Sequence, residues 1–155
     1  MRRSEKEVTA RAEIDAIIRR SQVFRLGLSD EGRPYVVPLC FGYDGTALYF
    51  HCAREGRKLE ILRRNNRVCL EFDVVEGLSE APEACGWGTR FESVIAWGAP
   101  RLIEDPAEKR DALDLIMSHY AGVRSDSPWT YDESTLARTV VVRIPLETVT
   151  AKARD

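Results

Sequence analysis

The chain has 155 residues, of which 44% are hydrophobic and 31% are charged, and these are the size and composition of one globular domain. Its formal net charge is −2, whereas a protein built to bind DNA or RNA normally carries a basic excess. We therefore expect a single domain over residues 1–155 and no nucleic-acid partner.

The hydropathy of the sequence indicates where in the cell the protein is located. The longest uncharged apolar run covers residues 34–43, far short of the roughly 20 residues that a membrane-spanning helix needs. The basic start of the chain is not followed by the apolar stretch that a secretory signal requires. The sequence therefore predicts a cytoplasmic protein without a membrane partner.

Four cysteines occur, and their spacing is not that of a metal site. No Cys-x-x-Cys pair is present, and no histidine stands at ligand spacing from any of them. Three lie inside apolar, strand-like runs, where a free cysteine behaves as a small buried hydrophobic residue. We expect reduced thiols and no bound metal. The three are Cys40, Cys52 and Cys69, and the fourth is Cys85.

The first third of the chain predicts one helix and then strands. The helix is expected over residues 9–20, with Thr9 as its N-cap and three isoleucines on one face. Alternating apolar residues then predict a hairpin. The pair Asp44-Gly45 predicts a two-residue turn into a third strand, so that the three strands form a meander. These strands are expected over residues 23–29, 34–43 and 46–53.

The middle of the chain returns to a helix and then to strands. A short helix over residues 54–66 is followed by a strand over residues 68–75. Residues 76–85 are acidic, contain proline and lack periodicity, which predicts a loop. A long β-like stretch covers residues 89–104, and a glycine and a proline inside it indicate a bend or bulge.

The clearest helix start lies in the last third. Asp105 is a good N-cap, Pro106 suits the first helical position and Glu108 completes a capping box. Gly122 is expected to end this helix, and a last strand is expected over residues 138–149. The loop between them contains Pro128, Trp129 and Tyr131.

The order of these elements indicates the fold class. About six strands and three helices are expected, and the strands follow one another through hairpins instead of alternating with helices. This order is typical of an antiparallel barrel or sheet of the α+β class.

Two cations stand where the physics of a helix disfavours them. Arg57 and Lys58 follow Gly56 and open the short helix, although the positive end of the macrodipole repels cations. A phosphate would compensate both, because helix N-terminal N–H groups and basic side chains bind it together. The alternative is that both are solvated surface residues beside Glu55.

One of the two histidines lies close to these cations. His51 ends a strand five residues before Gly56, and it is either a satisfied structural group or a proton donor at a site. His119 lies on the capped helix and has no comparable neighbours. The chain lacks the Gly-x-Ser-x-Gly elbow, the Walker loop and the Gly-x-Gly-x-x-Gly dinucleotide motif.

Three segments together resemble a known family. They are VVPLCFGYDG at residues 36–45, LYFHCAREGRKLEILRRNNRVCLEF at 48–72 and TRFESVIAWGAPRLIED at 89–105. They are similar to the pyridoxamine 5′-phosphate oxidase-like, FMN-binding split-barrel proteins, and among these to the nitroimidazole-resistance (Nim-type) flavoproteins. The resemblance covers roughly residues 5–150. It implies a mainly β, α+β fold: a six-stranded antiparallel Greek-key split β-barrel with flanking helices, usually a homodimer, with FMN in a groove at the subunit interface.

The resemblance also implies which residues hold the cofactor. Arg57 and Lys58 match the phosphate-binding pair, and Arg90 reaches the same phosphate. His51 stands beside the substrate as the catalytic candidate, a proton donor or electrophile. The other cofactor residues implied are Val37, Pro38, Leu39 and Cys40 along the isoalloxazine, Cys52 and Ala53 beside His51, and Ser93, Val94 and Ile95 on a strand flanking the flavin.

The activity implied is that of an FMN-dependent oxidoreductase. NADH or NADPH reduces the flavin, which passes electrons to a small oxidant such as a nitroaromatic. The alternative is a non-enzymatic carrier or sensor that binds flavin, and related split barrels bind F420 or haem. The C-terminal residues TVTAKARD lack the Arg-x-His-type motif of true pyridoxamine-phosphate oxidases, which argues against a B6 substrate, and Ala151-Lys152 replaces the family's Gly-Lys.

Overall fold

The computed structural model describes residues 4–122 and 129–154. Of the predicted loop, the part with Pro128 lies outside these residues, whereas Trp129 and Tyr131 lie within them and outside any helix or strand. Within them are ten strands: β1 (Glu7–Val8), β2 (Phe24–Asp30), β3 (Arg33–Leu39), β4 (Gly42–Tyr43), β5 (Ala47–Ala53), β6 (Val68–Ser79), β7 (Gly88–Gly98), β8 (Arg101–Ile103), β9 (Thr139–Pro145) and β10 (Thr148–Arg154). The four α-helices are α1 (Arg11–Arg20), α2 (Arg57–Arg64), α3 (Pro106–Ala121) and α4 (Glu133–Arg138). Short 3-10 turns cover Ser4–Lys6 and Ala84–Gly86.

The strands form two antiparallel sheets. The larger sheet has the order β1-β10-β7-β6-β2-β3, and the smaller has the order β4-β5-β9-β8. The predicted class, a mainly β split barrel of the α+β type with flanking helices, is confirmed. The additional strands arise because β1, β4 and β8 have only two or three residues, too few for an alternating pattern to register in the sequence.

The core lies between the two sheets. Four phenylalanines fill its centre, with ring centroids 5.4–6.0 Å apart: Phe24, Phe41, Phe50 and Phe72. The three isoleucines of α1 are buried against them, as their spacing predicted. Pairs of aromatic rings at such separations stabilise a core beyond the area that they bury.

The start of α1 differs from the prediction. Its N-cap is Ala10, in extended backbone and without a side-chain hydrogen bond, so Thr9 is not the cap. The first turn is held by Arg11, which donates to Tyr43 Oη at 2.9 Å and pairs with Asp15 at 2.8 Å. The Tyr43 contact comes from a hairpin 32 residues away, and a local capping pattern carries no information about it.

The predicted three-strand meander is wrong, since the chain changes sheet within it. β3 ends at Leu39 and belongs to the large sheet, whereas β4 and β5 belong to the small one. The expected hairpin between β4 and β5 is present. The Asp44 N–H bonds to Ala47 O at 3.2 Å, and Gly45 has a φ of +97°, so the turn is centred one residue later than predicted, on Gly45 and Thr46.

The hairpin of β6 and β7 is longer than predicted. Residues 76–79, assigned to a loop, continue β6 and pair with β7 as far as Ser79 opposite Gly88. The register shifts between Val75 and Gly77, where Gly77 has a φ of +139°. This bulge adds one residue to β6, and the interrupted alternation explains why the strand was not recognised. The break predicted near Gly98 separates β7 from β8.

The C-terminal part confirms the capped helix and adds one helix. Asp105 accepts a hydrogen bond from the Glu108 N–H at 2.8 Å, and Gly122, with a φ of +78°, ends α3. The unpredicted α4 has six residues, too few for a periodic pattern. The last predicted strand is two strands, because the chain passes from the small sheet to the large one between Pro145 and Thr148.

We expect Gly42→Ala to lower the free energy of unfolding. A Cβ at this position would lie 2.7 Å from the Ile116 nitrogen and the Leu115 carbonyl carbon, both backbone atoms of α3. Backbone of a packed helix gives way poorly, so we expect a loss of about 1–3 kcal/mol. Urea unfolding followed by circular dichroism measures it, and an unchanged midpoint with an unchanged slope would contradict the tight packing of β4 on α3.

Candidate functional site

The N-terminus of α2 is open to a ligand. Its N-cap is Gly56, with a φ of +136°, and no side chain caps the first turn. The first N–H groups of a helix have no intrahelical partner and carry the positive end of the dipole. Arg57 and Lys58 are the first two helical residues, so two cations and free N–H groups lie together.

The nearby protein groups compensate these cations only weakly. The Arg57 guanidinium is 3.9 Å from Asp30 and lies over the ring of Tyr35, with its Cζ 4.8 Å from the ring centroid. Asp30 is much closer to Arg64, at 2.6 Å. Within residues 4–122 and 129–154, Lys58 forms no ion pair within 4 Å. Exposed pairs at such distances contribute little, so both cations remain available to an anion.

Cys52 on β5 lies within electrostatic range of Lys58. Its half-buried side chain packs against the barrel core. Burial raises the pKa of the Cys52 thiol, and the positive charge of Lys58 partly opposes that rise. Cys52 and Lys58 therefore lie close enough to interact electrostatically.

His51 points away from this group. Side chains alternate along a strand, so His51 lies on the opposite face of β5 from Cys52. On that face it borders a cavity of about 340 Å³ between β5, α3 and α4. The walls are mostly apolar and include Leu113, Met117 and Leu136. The structure therefore gives His51 a cavity of its own, apart from the cations.

β3 presents two different sides. Val37 and Leu39 pack against the core, whereas Pro38 and the following Cys40 are exposed, so Cys40 is not the buried residue that we expected. β3 is the last strand of the large sheet. Pro34 and Pro38 stand at alternate positions, and prolines are tolerated at an edge where the nitrogen faces away from the neighbouring strand. The free edge thus offers carbonyl oxygens but few N–H donors, which disfavours pairing with another strand.

The residues predicted on β7 separate by face. Ser93 and Ile95 lie on the side of the large sheet that faces away from the core, which we call the outer face. They border a cavity of about 390 Å³, together with Lys152. Val94 is fully buried in the core, which leaves only its backbone for contact with a ligand.

In one chain the two halves of the predicted site do not meet. Through β6, Ser93 lies level with the start of β2, within one position of Phe24. Asp30, which Arg57 approaches, is the last residue of β2. Six or seven residues of strand span about 20 Å. The cations and the outer-face residues therefore lie at opposite ends of the barrel and on different sides of the sheet.

Arg90 belongs to the Ser93 end. It is exposed on β7 opposite Gly77, and its guanidinium lies against that glycine. Within a single chain Arg90 is therefore far from Arg57. The predicted contact of Arg90 with the same phosphate requires a second chain.

Sequence reasoning missed two residues at the cation site. Tyr35 forms the surface under the Arg57 guanidinium, and Asp30 pairs closely with Arg64 and only weakly with Arg57. Alternation along β3 gave a usable signal, because Tyr35 shares a face with Val37. No local pattern indicates that α2 packs on this end of β2.

Two further properties concern metals and membranes. Across residues 4–122 and 129–154, no three histidine, cysteine or acidic side chains gather in a metal-binding cluster. In the same residues, no helix combines the length and the apolar character needed to cross a membrane.

The similarity to known proteins extends over most of the chain. The sequence matches the pyridoxamine 5′-phosphate oxidase family over residues 10–153. No curated protein sequence matches the chain significantly.

Three solved structures are similar in fold. A proposed 5-nitroimidazole antibiotic resistance protein from Bacteroides thetaiotaomicron is 37% identical, with a TM-score of 0.82 over 94% of this chain and 85% of its own. The flavocytochrome Anf3 from Azotobacter vinelandii is 22% identical, with a TM-score of 0.87 over 100% of this chain and 72% of its own. An FAD- and haem-binding protein from Mycobacterium smegmatis is 20% identical, with a TM-score of 0.87 over 97% of this chain and 74% of its own.

The last two likenesses concern the fold alone, whereas the first combines fold with substantial sequence identity. The family match covers nearly the whole described barrel, including α2 and the three β-strands that carry predicted cofactor residues. The predicted resemblance is confirmed, and the chain belongs to the pyridoxamine 5′-phosphate oxidase family.

Proposed function

We propose that the protein binds FMN as a homodimer and works as an FMN-dependent oxidoreductase. The observation that carries the proposal is the pair of weakly compensated cations in the first turn of α2. A phosphate monoester fits this donor set, because Arg57 and Lys58 supply charge-assisted hydrogen bonds and the helix supplies N–H groups. Family membership and flavin-binding relatives support a flavin as the bearer of that phosphate.

The dimer follows from the separation of the two half-sites. Within one chain, Arg57 and Ser93 lie at opposite ends of the barrel and on different sides of the large sheet, so they do not meet at one binding site. A two-fold partner brings the outer face of one chain against the cations of the other. Each of two equivalent sites then takes its phosphate ligands from one chain and its Ser93, Ile95 and Arg90 from the partner.

The chain's own residues bind and orient the cofactor. Bound FMN supplies the hydride and electron transfer chemistry. Arg57 and Lys58 hold the phosphate, and the exposed edge of β3 at Pro38 offers backbone carbonyls to the polar side of the ring. Burial raises the pKa of the Cys52 thiol, so Cys52 contributes an uncharged side chain close to Lys58.

We propose NADH or NADPH as electron donor and a small nitroaromatic as oxidant. The 37% identity with a proposed 5-nitroimidazole resistance protein supports the oxidant. His51 is the proposed catalytic group. Its imidazole borders a mostly apolar cavity on the face of β5 opposite Cys52, so a role as proton donor requires the flavin ring and the nitro group to reach that cavity.

The visible spectrum of the purified protein tests the function. We expect flavin absorbance that bleaches on anaerobic addition of NADH or NADPH and returns when a nitroaromatic is added. Heat denaturation should release the bound cofactor, and chromatography should identify it as FMN. FAD or F420 in its place would overturn the cofactor assignment. A flavin that stays oxidised with both nucleotides would favour a carrier, and a Soret band would indicate a haem protein.

A further inference from the structure

The hairpin of β6 and β7 projects beyond the sheet. β2 pairs with β6 only as far as Phe72, and β10 pairs with β7 only as far as Phe91. Residues 75–90, which we call the arm, therefore have no strand partner outside the β6–β7 hairpin among the described residues. Five steps of β6 beyond Val74 correspond to about 16 Å of projection. A two-stranded ribbon of this kind is marginally stable unless something packs on it.

The arm exposes a line of apolar side chains on one side. Val75 is 63% exposed and Leu78 is 59% exposed, both high for large apolar residues. The bulge between Val75 and Gly77 has a specific consequence, because one extra residue returns Leu78 to the face of Val75. That face continues the outer face of the sheet, where Ile95 lies. We call Val75 and Leu78 the arm stripe.

The tip of the arm is acidic. Residues 76–87 contain Glu76, Glu80 and Glu83 and no lysine or arginine. Glu76 pairs with Arg20 at 3.7 Å at the base of the arm, whereas Glu80 and Glu83 are exposed. The tip therefore places negative charge on a segment that projects away from the barrel of its own chain.

The complementary charge is on α2. Residues 54–67 carry six arginine or lysine residues and two glutamates. Arg54 and Arg63 are exposed, and within the described residues neither forms an ion pair within 4 Å. Surfaces of opposite sign suit each other across an interface and select its register.

We propose that the arm of each subunit packs against its partner, with the arm stripe in the interface and the acidic tip over the basic surface of α2. The inference rests on the proposed dimer, in which the Ser93 end of one chain meets the cations of the other. The arm continues β7 past Ser93, so it extends toward α2 of the second copy. It then forms part of the wall of the partner's cofactor site and compensates cations that the chain itself leaves unpaired.

Charge-reversal variants test this arrangement. The tip variant combines Glu80→Lys with Glu83→Lys, and the helix variant combines Arg54→Glu with Arg63→Glu. We expect the dimer dissociation constant of each variant, measured by sedimentation at low salt, to rise about tenfold or more. A heterodimer of the two variants has opposite charges at both arm contacts, so mixing them should restore association to near the wild-type value. Salt at 0.5 M, as a control, should reduce all these differences.

A second pair of variants tests the apolar part. Leu78→Ser removes half of the arm stripe and should weaken the dimer at least fivefold. Tyr120→Ser is the matched control, because Tyr120 is also exposed, at 43%, but lies on α3, away from the arm and from the basic surface of α2. Thermal unfolding establishes that all four variants fold.

The outcomes separate the two proposals. A wild-type protein that dimerises and binds FMN, with charge variants that associate normally or that fail to restore each other, would overturn the arm contact alone. A wild-type chain that is monomeric at micromolar concentration would overturn both the arm contact and the proposed dimer. Equal weakening by Leu78→Ser and Tyr120→Ser would also reject the arm stripe.

Discussion

Replacing Arg57 and Lys58 together by alanine should weaken FMN binding at least tenfold, which corresponds to about 1.4 kcal/mol. Arg57 and Lys58 are the only two cationic side chains in the first turn of α2, and neither has a close carboxylate partner in the described chain. Each charge-assisted contact to a phosphate is stronger than a neutral hydrogen bond, so tenfold is a lower bound. Flavin fluorescence during titration of the apoprotein measures the affinity.

The matched control removes two charges from other helices. Arg110→Ala with Arg138→Ala removes the same number of cations, one from α3 and one from α4, and leaves the basic surface of α2 intact. We expect this variant to keep FMN affinity within about threefold, since screening weakens exposed charges at such distances. Riboflavin, which lacks the phosphate, should bind both variants and the wild type alike. Unchanged FMN affinity in the Arg57 and Lys58 variant would reject the phosphate site.

Sequence patterns predicted those parts of the fold that depend on neighbouring residues. The start of α3 is an example, because Asp105, Pro106 and Glu108 form its cap within four positions. The turn after β4 is another, because Asp44 and Gly45 fix it locally. Where partners come from elsewhere in the chain, the patterns failed, as with Thr9, whose place as N-cap is taken by Ala10.

The sequence indicated candidate residues for the site, but it did not indicate how they are arranged in space. The cations of α2 were recognisable because they oppose the helix dipole, which is a local argument. The division of His51 and Cys52 between two faces follows from strand alternation, but the sequence does not indicate which face meets α3 and α4. The distance between Arg57 and Ser93 depends on the strand order β7-β6-β2, and strand order is not encoded in any single segment.

The separation of the two half-sites leads to a heterodimer experiment. One chain carries Arg57→Ala with Lys58→Ala and lacks the phosphate ligands. The other carries Ser93→Trp, whose indole fills the cavity on the outer face beside Lys152. Each variant alone should lose FMN binding by at least tenfold, since both of its sites are damaged. Sedimentation of each variant checks that the dimer persists.

In the heterodimer the damage should fall on one site only. If the phosphate ligands and Ser93 come from different chains, one site combines both defects and the other is intact. A heterodimer purified through two different affinity tags should therefore bind one FMN with wild-type affinity, where the wild-type dimer binds two. If a single chain built each site, both sites of the heterodimer would be damaged and no tight binding would return. The stoichiometry thus decides whether the flavin lies between subunits, because it counts intact combinations of the two half-sites.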